Sequence, residues 1–395
     1  MDDLCSAEKL VEFRRDLHRF PELRFEEYRT SAKISDFLEE VGWVVARDPE
    51  STGLVATWPQ ATVNVQILVR ADIDAYPVND GKSVSYSSQN PGVAHACGHD
   101  VHVTAALGLA CRIAQNPVVR DSVAILFQPA EEIPFGATSG AQRMLDSGLL
   151  RKHYLAVIGL HCWPLLEAGS VGVDVGPAMA AKDAFEIKFN GLSTHAATPA
   201  LSHDSLLAAA EAIMSLHAGV ARVRNPHELL AFNIGTILGG QSQSAVPDLV
   251  AITGTLRTHD QQVRGRLKKV IERIAHNSGA KYEVDIELTW ANEMPPVINS
   301  EGLVALALDV LRATKHRVVE LREPPMTSDD FSLLAVLGPT LYFKLGVAPM
   351  GGGQVVPLHT AAFDVDESCI PVAVDALESV VIGALDAAGR GESLA

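Results

Sequence analysis

The sequence predicts an α/β protein, a mostly parallel sheet with helices on both faces, carrying an inserted ferredoxin-like α+β unit. Three observations lead there. Near-continuous apolar runs at Val65–Val69, Val123–Phe127, Leu155–Leu160 and Thr340–Leu345 are separated by helical stretches, as in parallel strands buried on both faces. Between about Asp183 and Ala291 the order becomes β-α-β-β-α-β, the ferredoxin-like arrangement. The length, 395 residues, exceeds what one core usually serves, so two domains are expected. The first comprises 1–182 with 292–395, and the second, 183–291, is inserted into it.

Taken in order, Ser6 is a plausible N-cap, with Leu10, Phe13 and Leu17 on one helical face and a stop near Phe20-Pro21. A second helix carries Ile34, Phe37, Leu38 and Val41 at amphipathic spacing. The strand at Val65–Val69 ends in Arg70-Ala71-Asp72-Ile73-Asp74, and that at Val123–Phe127 in Gln128-Pro129-Ala130-Glu131-Glu132. The Leu155–Leu160 strand leads into His161, and Thr340–Leu345 into a glycine-rich loop and then His359. In the insert, Phe185, Ile187 and Phe189 alternate as in a half-exposed strand, and a helix spans about Ser205 to His217. Strands near Leu230–Ile237 and Leu249–Arg257 follow, then a helix with Val263, Leu267, Val270, Ile271 and Ile274 on one stripe. A closing strand alternates Tyr282, Val284, Ile286 and Leu288.

Composition excludes several classes. A net charge of -16 argues against nucleic acid or an anionic membrane as the main partner. No uninterrupted apolar run reaches membrane-spanning length, and the start Met1-Asp2-Asp3-Leu4 lacks a basic leader. The five scattered cysteines do not look like a disulfide framework, which favours a reducing compartment. The cytoplasm is the expected location.

The chemistry gathers where the strands end, which is where ligands bind in such sheets. His95-Ala96-Cys97-Gly98-His99-Asp100-Val101-His102 packs a thiol, imidazoles and a carboxylate between a strand and a helix. With Glu132, His161 and His359, the pair Cys97 and His99 offers N, S and O donors of the kind zinc favours. That is more than the four ligands of a structural site, so two divalent ions sharing a bridge are expected, with the Cys97 thiolate as that bridge. Taken singly, a buried cysteine is usually a small hydrophobe and a lone histidine usually a hydrogen-bonded core residue. The adjacent Glu131 and Glu132 repel unless a cation lies near; one can hold metal while the other takes a proton from water. Asp74 is a candidate orienter of a ligand histidine, and Asp72 and His102 either serve likewise or brace a turn. In the insert, His195 follows a strand, Gly239-Gly240 reads as a turn, and Arg257 can grip a carboxylate with two donors or form a surface ion pair.

HACGHDVH, FQPAEE, GLHCWP, STHAATP, GTLRT and LHTAAFDVDE, in this order, resemble one group of metal-dependent amidohydrolases. It includes hippurate hydrolases, N-acyl-amino-acid deacylases and auxin-conjugate hydrolases, and is related to aminoacylase and glutamate carboxypeptidase. The likeness runs from about Phe13 to Glu367. It implies Cys97, His99, Glu132, His161 and His359 as metal ligands, Glu131 as general base and Asp74 as a supporting aspartate. It further implies that His195 reaches from the lid domain of a partner subunit to the substrate carbonyl oxygen, and hence a homodimer through the lid. The metal is zinc by preference, with manganese, cobalt or nickel suited to the same donors.

The expected reaction is hydrolysis of an N-acyl-L-amino acid, with dipeptidase or carboxypeptidase action by the same centre as the rival. A non-catalytic binding protein and a zinc-stabilised structural protein are rivals of other classes, separable by turnover with added metal. The chain departs from the family at Ser244-Ala245-Val246-Pro247, where Asn-Val-Ile-Pro is usual, and so lacks one substrate-contacting amide. Ser328-Asp329-Asp330-Phe331, Ala94 and Thr194 are further departures, none of them at an expected ligand.

Overall fold

The computed structural model describes residues 5–60, 66–351 and 355–395. Val65 at the head of the first expected strand, Gly352-Gly353 of the glycine-rich loop, and the Met1–Leu4 start lie outside the described residues. The chain opens with α1 (Ala7–Arg19), α2 (Tyr28–Val41), β1 (Val44–Arg47), β2 (Leu54–Thr57), β3 (Ile67–Asp72) and α3 (His99–Ala114). It continues through α4 (Pro117–Arg120), β4 (Val123–Gln128), α5 (Gly140–Asp146), β5 (Ala156–Glu167), β6 (Ser170–Asp174) and β7 (Pro177–Met179). The inserted unit holds β8 (Ala181–Asn190), β9 (Thr194–His195), α6 (Ser205–Val223), β10 (Leu230–Gly239), β11 (Ala245–Val246), β12 (Leu249–Thr258), α7 (Gln261–Lys281) and β13 (Asp285–Met294). The chain ends with β14 (Val297–Ile298), α8 (Glu301–Arg312), β15 (Arg317–Leu321), β16 (Thr340–Ala348) and α9 (Cys369–Gly389).

The main sheet runs β1-β2-β4-β3-β5-β16-β6-β15. Its centre, β4-β3-β5-β16, is parallel, as the apolar runs predict, while β1, β2 and β6 join antiparallel and make the whole sheet mixed. Alternate residues of a central strand face different cores. Ile67, Val69 and Ala71 join α1, α3, α8 and α9 in the large core, and Leu68 faces the smaller one with Met144 of α5 and Phe331. Ser6 caps α1 as expected, accepting from the Lys9 N–H at 3.3 Å.

The insert forms a separate antiparallel sheet, β10-β12-β8-β13, under α6 and α7 with its own core of Phe185, Ile187, Phe189, Leu216, Ile252 and Leu267. Its closing strand starts later than the alternation suggests and runs to Met294, because Tyr282 still ends α7. By length and composition α6 could cross a membrane. Here Ala208, Ala212, Leu216 and Val220 press it onto the sheet, while Leu206, Leu207 and Met214 face outward.

One sequence expectation is corrected. Cys5 and Cys111 form a disulfide, because α1 packs along α3 and carries its leading residues to that helix's far end. A separation of 106 residues hides this proximity in the sequence. Cys97, Cys162 and Cys369 are free and buried.

Candidate active site

Three backbone features build the site. Gly98 caps α3 with φ of 91°, turning the chain so that Cys97 and His99 face one space. A Cβ here would sit 2.7 Å from the Cys162 sulfur, so the approach also demands glycine. After β4, Ala130 takes φ of 49°, with its N–H donated to the buried Glu27 carboxylate at 2.9 Å; this aims the next two residues, Glu131 and Glu132, into the cleft. His359 also has a positive φ, 62°, and is held by its N–H to the Ala96 carbonyl at 2.8 Å and by stacking on Tyr76 at 4.1 Å. Non-glycine residues in this region are strained and tend to mark functional sites.

The expected ligands converge. Donor atoms of Cys97, His99 and His161 lie within 4.8 Å of one another, as do those of Cys97, Glu132 and His359 and those of His99, Glu131 and Glu132. The first two sets share the Cys97 sulfur, which is 3.4 Å from His161 Nε2 and 3.3 Å from His359 Nε2. His359 Nε2 also lies 2.6 Å from Glu132 Oε1. His161 stands within β5 rather than at its end, because that strand runs on beside β16 as far as Glu167.

The far nitrogens of His99 and His161 are spoken for. His99 Nδ1 faces the Asp74 carbonyl at 2.8 Å and its carboxylate at 3.2 Å, and His161 Nδ1 donates to the Cys162 carbonyl at 2.7 Å. Asp74 also accepts the Glu132 N–H at 2.9 Å, so one aspartate aligns a histidine and a glutamate together. Such outer contacts fix tautomer and ring direction at metal sites. His99 Nε2 is buried and has no hydrogen-bond partner among the described residues. An orphaned imidazole nitrogen beside a thiol and two carboxylates fits a transition-metal pair.

The electrostatics agree. Burial pushes the Cys97 thiol well above its ordinary range, with Glu132 and Glu131 adding to the shift. Burial does the same to Glu131, helped by Glu132. Burial also holds His161 near 3, whereas His99 rises to about 10 because Asp72 and Asp74 outweigh the cost of its burial. A divalent cation among these groups would offset both the Cys97 and the Glu131 shift.

Beneath lies a buried brace that the sequence reading underrated. Arg70 reaches Asp72 at 2.7 Å, Asp330 at 3.0 Å, Asp329 at 3.1 Å and Gln128 at 2.9 Å, while the Tyr342 hydroxyl donates to Asp329. His102 bridges Asp72, at 2.5 Å, and the Cys162 N–H, at 2.9 Å, so Asp72 and His102 brace the floor. Within the octet, Asp100 is spent on Arg14 at 2.8 Å and His18 at 2.7 Å.

The cleft holds about 680 Å³, ample for a small ligand. Its second wall comes from the four-stranded sheet, with Lys182, Arg257 and Met294, while Trp163 of β5, Met179 of β7 and Met326 complete the lining. Arg257 lines the cleft. Lys182 went unnoticed, because a lysine in an alternating strand reads as solvated. His195 is exposed on β9 and does not line this chain's cleft. Its Nδ1 accepts the Ala197 N–H at 3.1 Å, so a neutral ring carries its proton outward on Nε2.

A model of peptidase family M20/M25/M40 matches residues 68–382. The chain belongs to that family. It is 34% identical over 372 residues to the N-acetyl-L-cysteine deacetylase of Bacillus subtilis (strain 168), covering 93% of this chain and 86% of the relative. It is 32% identical over 373 residues to an N-acetyldiaminopimelate deacetylase of Exiguobacterium sibiricum, covering 94% of this chain and 98% of that one. A solved dinuclear metal-binding peptidase of family M20 from Bacillus subtilis is similar with a TM-score of 0.79 and 28% identity, over 95% of this chain and 97% of that one.

Proposed function

We propose that this M20 protein hydrolyses N-acyl-L-amino acids to a carboxylate and a free amino acid. The observation that carries the reading is a single thiol, Cys97, shared by two sets of metal donors with Glu131 beside them. Cys97, His99, His161, Glu132 and His359 would hold two divalent ions, zinc by preference, with manganese, cobalt or nickel as alternatives. When bound, such ions polarise an amide carbonyl and acidify water. Glu131 takes the proton from the attacking water and returns it to the leaving amine. Asp74 keeps His99 and Glu132 aligned throughout. Arg257, with Nη1 engaged by Ser328 and the Met326 carbonyl, offers its remaining donors to the substrate carboxylate.

In this reading residues 183–291 form a lid that also makes a homodimer. The outward apolar face of α6 and the edge strand β10 would meet a second copy. His195 then donates its Nε2 proton to the developing oxyanion in the partner's cleft. The cytoplasm remains the proposed location although Cys5 and Cys111 pair; recovery of the native protein from an exported fraction would overturn it.

One experiment tests base and dimer together. Glu131→Gln should lose about 10²–10⁴-fold in turnover while keeping its metal. Mixing it with His195→Ala should restore up to about a quarter of normal activity, because one site of each mixed dimer is complete. Full activity in Glu131→Gln refutes the base. No restoration on mixing refutes the shared site. A panel of acetyl-, benzoyl- and dipeptide substrates separates deacylase from dipeptidase action.

A further inference from the structure

On the lid wall of the cleft, Lys182 of β8 stands directly opposite Arg257 of β12. Residues paired this way leave the same face of a sheet about 5 Å apart, and like charges so placed repel. Neighbouring carboxylates normally relieve such a pair. None does so here. The next pair along that face is Ala184 with Thr255, and beyond it Glu186 is taken by Lys188 at 3.3 Å. The Lys182 side chain makes no hydrogen bond or ion pair with any described residue. Arg257 donates only through Nη1, to the Met326 carbonyl and the Ser328 hydroxyl, both at 3.1 Å.

Both cations are half-buried and line the same cleft as Cys97, Glu131 and His359. Burial lowers the pKa of each, and Arg257 lowers that of Lys182 further. The carboxylates across the cleft, Glu131 and Glu132, raise it only in part, and they belong to the metal-donor sets. Two adjoining cations without a carboxylate partner, in a cavity of substrate size, form a seat for anionic charge. The α-carboxylate of an N-acyl amino acid offsets one of them. The other is left exposed to the same desolvation with nothing to answer it.

We propose that Lys182 is a specificity-determining residue, selecting with Arg257 for substrates that carry a second carboxylate besides the α-carboxylate. This rests on the N-acyl amino acid reading above. The second carboxylate comes either from an acidic amino acid or from a dicarboxylic acyl group, and the chemistry at Lys182 is the same for both.

The test compares N-acetyl-L-glutamate with N-acetyl-L-glutamine, and N-succinyl-L-alanine with N-butyryl-L-alanine, in metal-loaded protein. One charged member should exceed its neutral counterpart by about 10-fold or more in kcat/KM, and which one does so identifies the source of the carboxylate. Lys182→Met should bring that ratio close to one, chiefly through KM of the charged substrate, while Lys182→Arg should retain it. Turnover of the neutral compounds reports that the variants are folded. Equilibrium binding of all four compounds to Glu131→Gln supplies a readout independent of hydrolysis. Equal affinities for charged and neutral members would overturn the role of Lys182 and leave the deacylase reading standing. Tighter binding of a charged member that no variant hydrolyses would overturn the deacylase reading alone.

Discussion

The two walls of the cleft are built on opposite terms. On the strand-end wall, ligand atoms are fixed from behind: His99 and Glu132 by Asp74, His161 by a carbonyl, and Glu131 by the turn that Glu27 anchors. On the lid wall, the Lys182 side chain has no hydrogen-bond or ion-pair partner among the described residues and Arg257 has only neutral ones. Chemistry needs donors in position before substrate arrives, since reorganising them during the reaction would raise the barrier. Recognition gains from the reverse, cations whose best partner is the ligand. Substitutions on the first wall should therefore disturb fold and metal, and those on the second mainly choice of substrate.

The largest test of that contrast is backbone. Gly98→Ala and Gly240→Ala both place a side chain at positive φ, 91° and 80°, which costs about 1–2 kcal/mol each. Only at Gly98 does the new Cβ also meet atoms, the Cys162 sulfur at 2.7 Å and its Cβ at 2.8 Å, adding about 1–3 kcal/mol. Urea unfolding should show Gly98→Ala as clearly the less stable of the two. Equal losses would break the claim that the strand-end wall is the more tightly determined.

Asp74→Asn comes next. It keeps the volume but replaces a carboxylate that serves both His99 and Glu132. Metal affinity, measured by competition with a chelator, should fall about 10–100-fold. Arg257→Lys, on the other wall, should leave it unchanged. A similar fall in both variants would mean that the walls are not separable.

The same contrast explains what the sequence made legible. Cys97, His99, Glu131, Glu132 and His359 could be found because apolar strands and a helix start frame them, and framing fixes where a side chain can go. The order of the insert was readable because its strands alternate and its helices carry stripes. The flanking strands β1, β2, β6 and β15 span only four or five residues, too few to show a period. Asp329 and Asp330 stand out only as a departure from the family's usual run, because their partner, Arg70, lies 259 and 260 residues away. Lys182 carries no motif at all; its meaning comes from the register that sets it against Arg257.

The smallest expected effect separates positioning from ligation on the first wall. Glu27 contacts none of the proposed ligands, yet its carboxylate accepts the Ala130 N–H and the Thr52 hydroxyl beneath the Glu131 turn. Burial raises its pKa to about 7, with Asp74 adding to the shift. An unfolded chain releases this proton near 4.5, so between there and 7 the native state binds more protons. Its contribution is therefore full below about 4.5 and is lost as pH rises through 7. Glu27→Gln should remove on the order of 1–2 kcal/mol of that decline between pH 5 and 7. The variant should match the parent in acid and exceed it at pH 8. Parallel stability curves for parent and variant would show that the turn holding Glu131 does not depend on the charge of the acid beneath it.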